Sequence, residues 1–427
     1  MSLKQCVCII GAGTAGLCAA KNVIAHSMQP VVYEQTDAIG GTWVYTEKTH
    51  QDDYGNEVVS SLYDGLRTNL PKEVMGYPDY LYPARIDESF VTAADVLKFL
   101  TAYTERYHLE PYIKLLHSVI RVRPRNGGWE VIVKDLQNNT IETKYYDFVL
   151  VCNGHYTTPL YPTIPDTTLF QGVQTHSHYF RKAEAFKDQK VLIIGAGSSG
   201  LDIAMHLHKA AKFVYLSHHL KASPDTRFMP NVIQKPDVSH FTANGAIFKD
   251  DSNEEFSCVI YCTGYKYTFP FLSVDCGIYV DDNHVQPLYK QCINIKYPTM
   301  ALIGLPYKVC PTQLCDMQLR FVLKYYSGHK SLPSSGMMQV DTNQKLKSLW
   351  ARGLKKREAH LLGNEQFDYY RDLSETAGID NIKPVVEKML RECGDCRFIY
   401  DLETFRTIQF RMIDDDNFVK FKKNKAC

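Results

Sequence analysis

"CVCIIGAGTAGLCAA", Cys6 to Ala20, opens as an apolar strand, turns on three glycines and continues as a helix. In the frame Gly11-x-Gly13-x-x-Gly16 the glycines permit a tight turn, close approach of backbone to a pyrophosphate, and close helix–strand packing. A helix that starts there points its unpaired N–H groups at the phosphates. The next strand, "PVVYE", ends on Glu34, 18 residues after Gly16, where a carboxylate can accept hydrogen bonds from ribose hydroxyls. Strand, turn, helix and acid together predict a βαβ unit that opens a parallel sheet and holds a dinucleotide. The competing reading leaves the three glycines serving a turn and nothing more.

The pattern occurs twice. "KVLIIGAGSSGLDIA", Lys190 to Ala204, carries Gly195-x-Gly197-x-x-Gly200, and its following strand "FVYL" runs into Ser217, His218, His219 and Lys221 without an acid. A carboxylate there would repel a 2′-phosphate, whereas hydroxyl, imidazole and ammonium groups can donate to one. The second site is therefore expected to favour NADPH over NADH, unless His218 and His219 are ordinary surface residues. Two dinucleotide sites in one chain, one with a carboxylate and one without, most simply hold FAD and NADPH so that hydride passes between them.

Composition limits the alternatives. The 427 residues, 45% of them hydrophobic, suffice for two or three domains of roughly 100–200 residues each. Lys plus Arg total 48 against 47 Asp plus Glu, so no field of one sign is available to hold nucleic acid. The 13 scattered cysteines fit a reducing compartment; "CGDC" at Cys393 and Cys396 lacks a second pair or a His at ligand spacing, so no metal site is expected. No run reaches the ~18–20 apolar residues that a bilayer span needs. A soluble cytoplasmic protein without a membrane anchor is expected, or a secreted one if a leader once preceded Met1. Homo-oligomerisation stays open.

Along the chain, Thr92–Tyr107 has helical apolar spacing, and "SVIRVRP", "GWEVIVKD" and "YYDFVLVCNG" read as strands that complete the first domain. "TTPLYPTIPD", Thr157–Asp166, reads as an extended crossing, and "GAIFKD" and "EFSCVIYCTGY" complete a smaller second sheet. The strand "TMALIGL" and the helices "LCDMQLRFVLKYY" and "VVEKMLREC" are expected to fold back onto the first domain. The predicted fold class is α/β, with two Rossmann-like dinucleotide-binding domains, the smaller NADPH domain (164–284) inserted into the larger FAD domain (1–163 and 285–427).

Between the two turns, "LFQGVQTHSHYFRK" contains Phe-x-Gly-x-x-x-His-x-x-x-Phe at Phe170, Gly172, His176 and Phe180, followed by Arg181. Here the sequence resembles the flavin-containing monooxygenases. The resemblance continues in order through "GGTW" (Gly40–Trp43), "LRTNLPKEVMGYPD" (Leu66–Asp79), "VCNGHY" (Val151–Tyr156), "CTGY" (Cys262–Tyr265), "LYK" (Leu288–Lys290) and "LPS" (Leu332–Ser334). It implies a cycle in which NADPH reduces FAD, NADP⁺ stays bound, and a flavin C4a-hydroperoxide formed with O2 gives one oxygen to an amine or sulfide. Such a substrate attacks with its own lone pair, so no general base is required.

By the same resemblance Asn69 lies between flavin and nicotinamide. Gly41, Thr42, Trp43, Thr68 and Val119 join Gly11, Gly13, Gly16 and Glu34 as flavin contacts. Ser199, Gly200 and Asp202 join Gly195, Gly197, Ser217, His218 and His219 on the NADPH side. From the residues alone, Asn69 could instead cap a turn before Pro71, and Asp202 could cap helix amides. His176 and Phe180 are read as structural parts of the connection between domains.

The related Baeyer–Villiger oxygenases usually carry Trp where Phe180 stands, which argues against ketone oxidation. Membrane-bound relatives have a longer chain with an apolar C-terminal anchor, so this chain looks like the short soluble form. A tertiary amine such as a plant alkaloid is the expected substrate. Two other classes remain: a flavin disulfide reductase, which needs a cysteine pair beside the flavin, and a nonenzymatic sensor that binds FAD and NADPH and reports their ratio to a partner.

Overall fold

The fold comes from a computed structural model that describes residues 4–220, 228–394, 402 and 404–422. The first half supplies β1 (Cys6–Ile10), α1 (Thr14–Ala25), β2 (Gln29–Tyr33), α2 (Ala93–Arg106), β3 (Ile113–Lys114), β4 (His117–Arg125), β5 (Gly128–Asp135), β6 (Thr140–Tyr146) and β7 (Phe148–Val151). Then come β8 (Val173–His176), β9 (Lys190–Ile194), α3 (Ser198–Leu207), β10 (Phe213–Ser217), β11 (Val232–Lys235), β12 (Val238–Phe241), β13 (Gly245–Phe248), β14 (Asn253–Glu255) and β15 (Cys258–Tyr261). Last are β16 (Leu288–Tyr289), β17 (Ile293–Asn294), β18 (Met300–Leu302), α4 (Pro311–Tyr326), β19 (Ile408–Met412) and β20 (Phe418–Lys422).

Two sheets carry the glycine turns. The first runs β16-β17-β18-β7-β1-β2-β3, so the strands after residue 287 return beside β7; the second runs β11-β10-β9-β15-β8. In each, the strand before the turn lies between parallel neighbours, with β1 between β2 and β7 and β9 between β10 and β15. Burial on both faces is what an all-apolar strand needs.

Both sheets are covered in the same way. Val7 and Ile9 of β1 face a core with Leu17 and Val23 of α1 and Phe321 of α4, while Cys8 and Ile10 face Val122, Trp129 and Val131 of the antiparallel sheet β4-β5-β6. In β9, Val191 and Ile193 meet Leu201 and Leu207 of α3, while Leu192 and Ile194 meet Phe241 and Phe248 of the antiparallel sheet β12-β13-β14. Alternation with period two thus sends one set of side chains to a helix layer and the other to a three-stranded cover. The second sheet is a smaller version of the first.

Two short connections cross between the lobes side by side, where Thr158–Pro159 pairs antiparallel with Tyr265–Lys266. The stretch "YYDFVLV" is not one strand. It leaves β6 at Tyr146 and enters β7 at Phe148, and Asp147 makes the corner by taking the Cys6 amide at 2.7 Å and returning its own N–H to the Cys6 carbonyl at 3.0 Å. Among the described residues no helix is long and apolar enough to cross a membrane.

Candidate functional site

Gly11 follows β1 with φ +102°, and a Cβ there would stand 2.6 Å from the Cys152 carbonyl oxygen. On Gly16 a Cβ would land on the Gly11 carbonyl, and on Gly13 it would face the Gly41 backbone at 3.4 Å. α1 begins at Gly13 with no side-chain cap and no acid in its first turn, whereas α2 carries a full Thr92–Asp95 capping box. An opening turn left uncapped keeps its N–H groups for an outside anion.

Glu34, 5% exposed, accepts the Ala12 amide at 2.8 Å on one oxygen and the amide and hydroxyl of Thr36, each at 2.9 Å, on the other. Burial raises its pKa, and the hydrogen bonds from Ala12 and Thr36 oppose that shift. Glu34 thus braces the turn, and a carboxylate with about four acceptor positions keeps capacity for ribose hydroxyls. An uncapped helix end, a cradle without Cβ atoms and a braced acid fit a dinucleotide pyrophosphate and its ribose.

The second turn repeats the first. Gly195 has φ +103° and a Cβ would lie 2.6 Å from the Cys262 carbonyl oxygen, while on Gly200 it would land on the Gly195 carbonyl. The Gly195 amide donates to Ser217 at 2.9 Å as the Gly11 amide donates to Tyr33 at 2.8 Å. α3 starts at Gly197 without a side-chain cap, and nothing lies within 4 Å of a Cβ built there.

The far end of β10 differs from its sequence reading. Ser217 is buried and its hydroxyl donates to the Pro236 carbonyl at 2.8 Å. The His218 ring sits 2.9 Å from Gln234 Oε1. An acid is present after all, since Asp237, from the turn between β11 and β12, lies 3.2 Å from His219 Nδ1 and 3.0 Å from Lys249. Burial acts to raise the Asp237 pKa, but hydrogen bonds from Lys249 and His219 outweigh it and leave it lowered. Local sequence order hid this carboxylate. Lys221 lies outside the described residues.

Between the lobes runs a cleft of about 190 Å³ whose walls include Trp43, Thr68, Asn69, Ser198, Ser199 and Asp202. Asn69 is exposed and its amide nitrogen lies 3.4 Å from Ser198 Oγ, so residues from the two lobes meet here. Thr68 is buried and exchanges hydrogen bonds with Val91, while the Thr42 carbonyl, in the turn Gly41–Trp43, accepts from Ser60 at 2.9 Å. Asp202 does not cap its helix. Its carboxylate is taken by the Tyr63 hydroxyl and by Arg406 at 2.7 Å. Val119 is not on the cleft wall: it pairs with Val133 in β4-β5, in the core beneath the first sheet, beside a register shift.

The Phe170–Arg181 segment is built into the second lobe. Phe170 and Phe180 lie in the two cores on either side of the second sheet, and a Cβ on Gly172 would strike the Phe170 ring. His176 is fully buried, its Nδ1 accepts the His178 amide at 3.1 Å, and desolvation lowers its pKa to about 4. Arg181 reaches out of the lobe. It donates to the carbonyls of Thr46, Lys48 and Ser60 at 2.7, 2.8 and 3.1 Å and to those of His178 and Phe180 at 2.8 and 3.0 Å. The segment thus pins the 46–60 loop to the second lobe.

Cys258, Cys262 and Cys315 are free thiols, and burial pushes them up to about 12. Such thiols stay protonated at neutral pH and make poor redox partners. Cys393 is buried, and Cys396 lies outside the described residues. Sequence reasoning missed Tyr63 and Arg406, which carry no local signature.

The family model for flavin-binding monooxygenase-like proteins matches residues 4–223 and 220–414. Senecionine N-oxygenase of Tyria jacobaeae is 35% identical over 421 residues, covering 97% of this chain and 91% of the relative. Flavin-containing monooxygenase FMO GS-OX-like 4 of Arabidopsis thaliana is 33% identical, covering 87% of each chain. Among solved structures, S-allyl-L-cysteine S-oxygenase from Allium sativum superposes with a TM-score of 0.89 at 33% identity over 95% of both chains. With the family model matched over nearly its whole length, this chain belongs to the flavin-binding monooxygenase-like family and is a flavin monooxygenase.

Proposed function

We propose that the chain holds FAD at Gly11–Gly16 and NADPH at Gly195–Gly200 and uses O2 to oxygenate the nitrogen of a tertiary amine, such as a plant alkaloid. Residues 1–163 and 285–427 form the flavin lobe in this reading, and 164–284 the NADPH lobe. The observation that carries it is the pairing of two uncapped helix N-termini with a cleft in which Asn69 of one lobe meets Ser198 of the other.

When bound, the flavin supplies the ring that accepts hydride from the nicotinamide and then activates oxygen. The protein's residues arrange and shield that chemistry. The first turns of α1 and α3 donate N–H groups to the two pyrophosphates, and Glu34 accepts from the ribose. Thr42, Trp43 and Thr68 wall the flavin, and the Asn69 amide, with donors and an acceptor, orients the groups that meet between the lobes. Asp202, a carboxylate on the cleft wall, is already held by Tyr63 and Arg406, so it is not offered to the substrate as a base. An amine lone pair needs none.

The amine is favoured by the N-oxygenase that is 35% identical to this chain. A sulfide is the second reading, favoured by the S-oxygenase that superposes with a TM-score of 0.89. The test is turnover of the FAD-loaded protein under ¹⁸O2 with NADPH and a panel of tertiary amines and sulfides. One labelled oxygen in an N-oxide is expected. NADPH oxidation without any labelled product from the panel, or stable NADPH binding without oxygen uptake, would contradict it.

A further inference from the structure

Arg406 binds both the loop before Asn69 and the opening of α3 with a single side chain. Its Nε donates to the Thr68 carbonyl at 3.1 Å, and its Nη2 donates to the Arg67 carbonyl at 3.2 Å and to Asp202 Oδ1 at 2.7 Å. The other Asp202 oxygen receives the Tyr63 hydroxyl. Three distant parts of the chain converge here, since Arg406 lies 338 residues from Thr68 and 204 from Asp202.

The ion pair is well removed from water, with side chains 17% and 13% exposed for Arg406 and Asp202. A buried pair of this kind cannot lose one member cheaply, because the other is left desolvated and unpaired. The planar guanidinium matters as much as its charge. It offers donors in fixed directions, so it can serve a carboxylate and two carbonyls at once, whereas an ammonium group is a single point.

We propose that Arg406 is a positioning residue: it locks the backbone before Asn69 to the start of the nicotinamide helix and so sets the distance across the cleft. The inference rests on the function proposed above. Asn69 follows directly on the two clamped carbonyls, and Ser198, which its amide approaches at 3.4 Å, opens the helix that carries Asp202. None of the glycines of the two turns is a partner in the clamp. Its loss leaves each dinucleotide bound while hydride transfer and oxygen delivery lose their geometry. If Arg406 merely held β19 and β20 in place, stability would fall and coupling would not.

The test compares Arg406→Gln, Arg406→Lys, Asp202→Asn and the double variant Arg406→Gln/Asp202→Asn, all loaded with FAD. Amide hydrogen exchange over 67–69 and 198–202 is read without nicotinamide. Anaerobic flavin reduction and peroxide formed per NADPH are read with it. Exchange is expected to rise about tenfold in both segments of Arg406→Gln. Reduction at saturating NADPH is expected to fall by about ten- to a hundredfold, the scale of a misplacement near 1 Å, with NADPH affinity little changed. Peroxide rises, lysine restores only part of the rate, and the double variant is no worse than the poorer single one, because the partners act as one unit.

Unchanged exchange, a lower melting temperature with normal reduction and coupling, or single effects that multiply in the double variant would overturn the proposal. Should Arg406→Gln fail to fold, Arg406→Lys and Asp202→Asn carry the same readings. If wild-type protein were not reduced by NADPH at all, the proposed function would fall, and the exchange data would still judge the clamp.

Discussion

Gly11 and Gly200 resist a methyl group for different reasons, and the difference predicts separable defects. Gly11 combines φ +102° with a Cβ 2.6 Å from the Cys152 carbonyl, so Gly11→Ala meets both backbone strain and a clash beneath the proposed flavin site. It should yield protein with little bound flavin and a stability loss of about 2–4 kcal/mol, read from flavin absorbance per chain and from denaturant unfolding. Gly200 clashes with the Gly195 carbonyl in the other lobe, so Gly200→Ala should retain flavin yet resist reduction by NADPH. Yellow, stable Gly11→Ala protein, or normal reduction of Gly200→Ala, would be inconsistent with these roles. Asn69→Ala should keep its flavin and divert about tenfold more NADPH to peroxide, in proportion to a lost charge-positioning contact. Wild-type product yield per NADPH would remove the role given to that amide.

Elements that depend on neighbours in sequence were legible, and those that depend on distant partners were not. The two βαβ units were readable because turn, helix and strand lie within about 30 residues. Helix α2 was readable too, and its Thr92–Asp95 capping box gives a prediction that is independent of cofactors: Thr92→Ala should cost about 0.5–2 kcal/mol in denaturant unfolding and leave turnover unchanged. A loss of turnover equal to that of a cleft variant would show that α2 does more than support the first lobe. The helix Ser335–Ala351 went unread because only Met338 and Leu349 are buried on it, too few to set a period. "YYDFVLV" looked continuous because its apolar run does not reveal that Asp147 turns the chain from one sheet to the other. Asp237 beside His219 and Arg406 beside Asp202 are products of folding, 18 and 204 residues apart, and no local pattern announces them.

At the scale of the molecule the lobes are joined by buried polar groups as well as by apolar packing. Arg181 donates to five carbonyls, three of them in the 46–60 loop, and among the described residues has no carboxylate in hydrogen-bond contact. Arg181→Met should therefore leave several carbonyls unpaired at about 1–3 kcal/mol each, and separate melting of the lobes is the expected calorimetric signature. Buried imidazoles make stability depend on pH as well. His155 and His176 are lowered to about 4 and His360 to about 3 by desolvation, against an ordinary value of 6.5. The unfolded chain then binds more protons below 6.5, so stability is full above that pH, declines as pH falls and is lost through the folded values near 4 and 3. Equal unfolding free energies at pH 7.5 and pH 5 would show that these rings are not held neutral.

The proposed function requires the flavin and nicotinamide sites to meet across the cleft, close enough for direct hydride transfer. NADPH deuterated on one face of its ring at a time, mixed anaerobically with the FAD-loaded protein, reads this in a single experiment. A slowed bleaching of the flavin with one deuterated face and not the other is predicted. NADPH that binds without bleaching the flavin, or bleaches it with no isotope effect from either face even when chemistry is made rate-limiting, would contradict it.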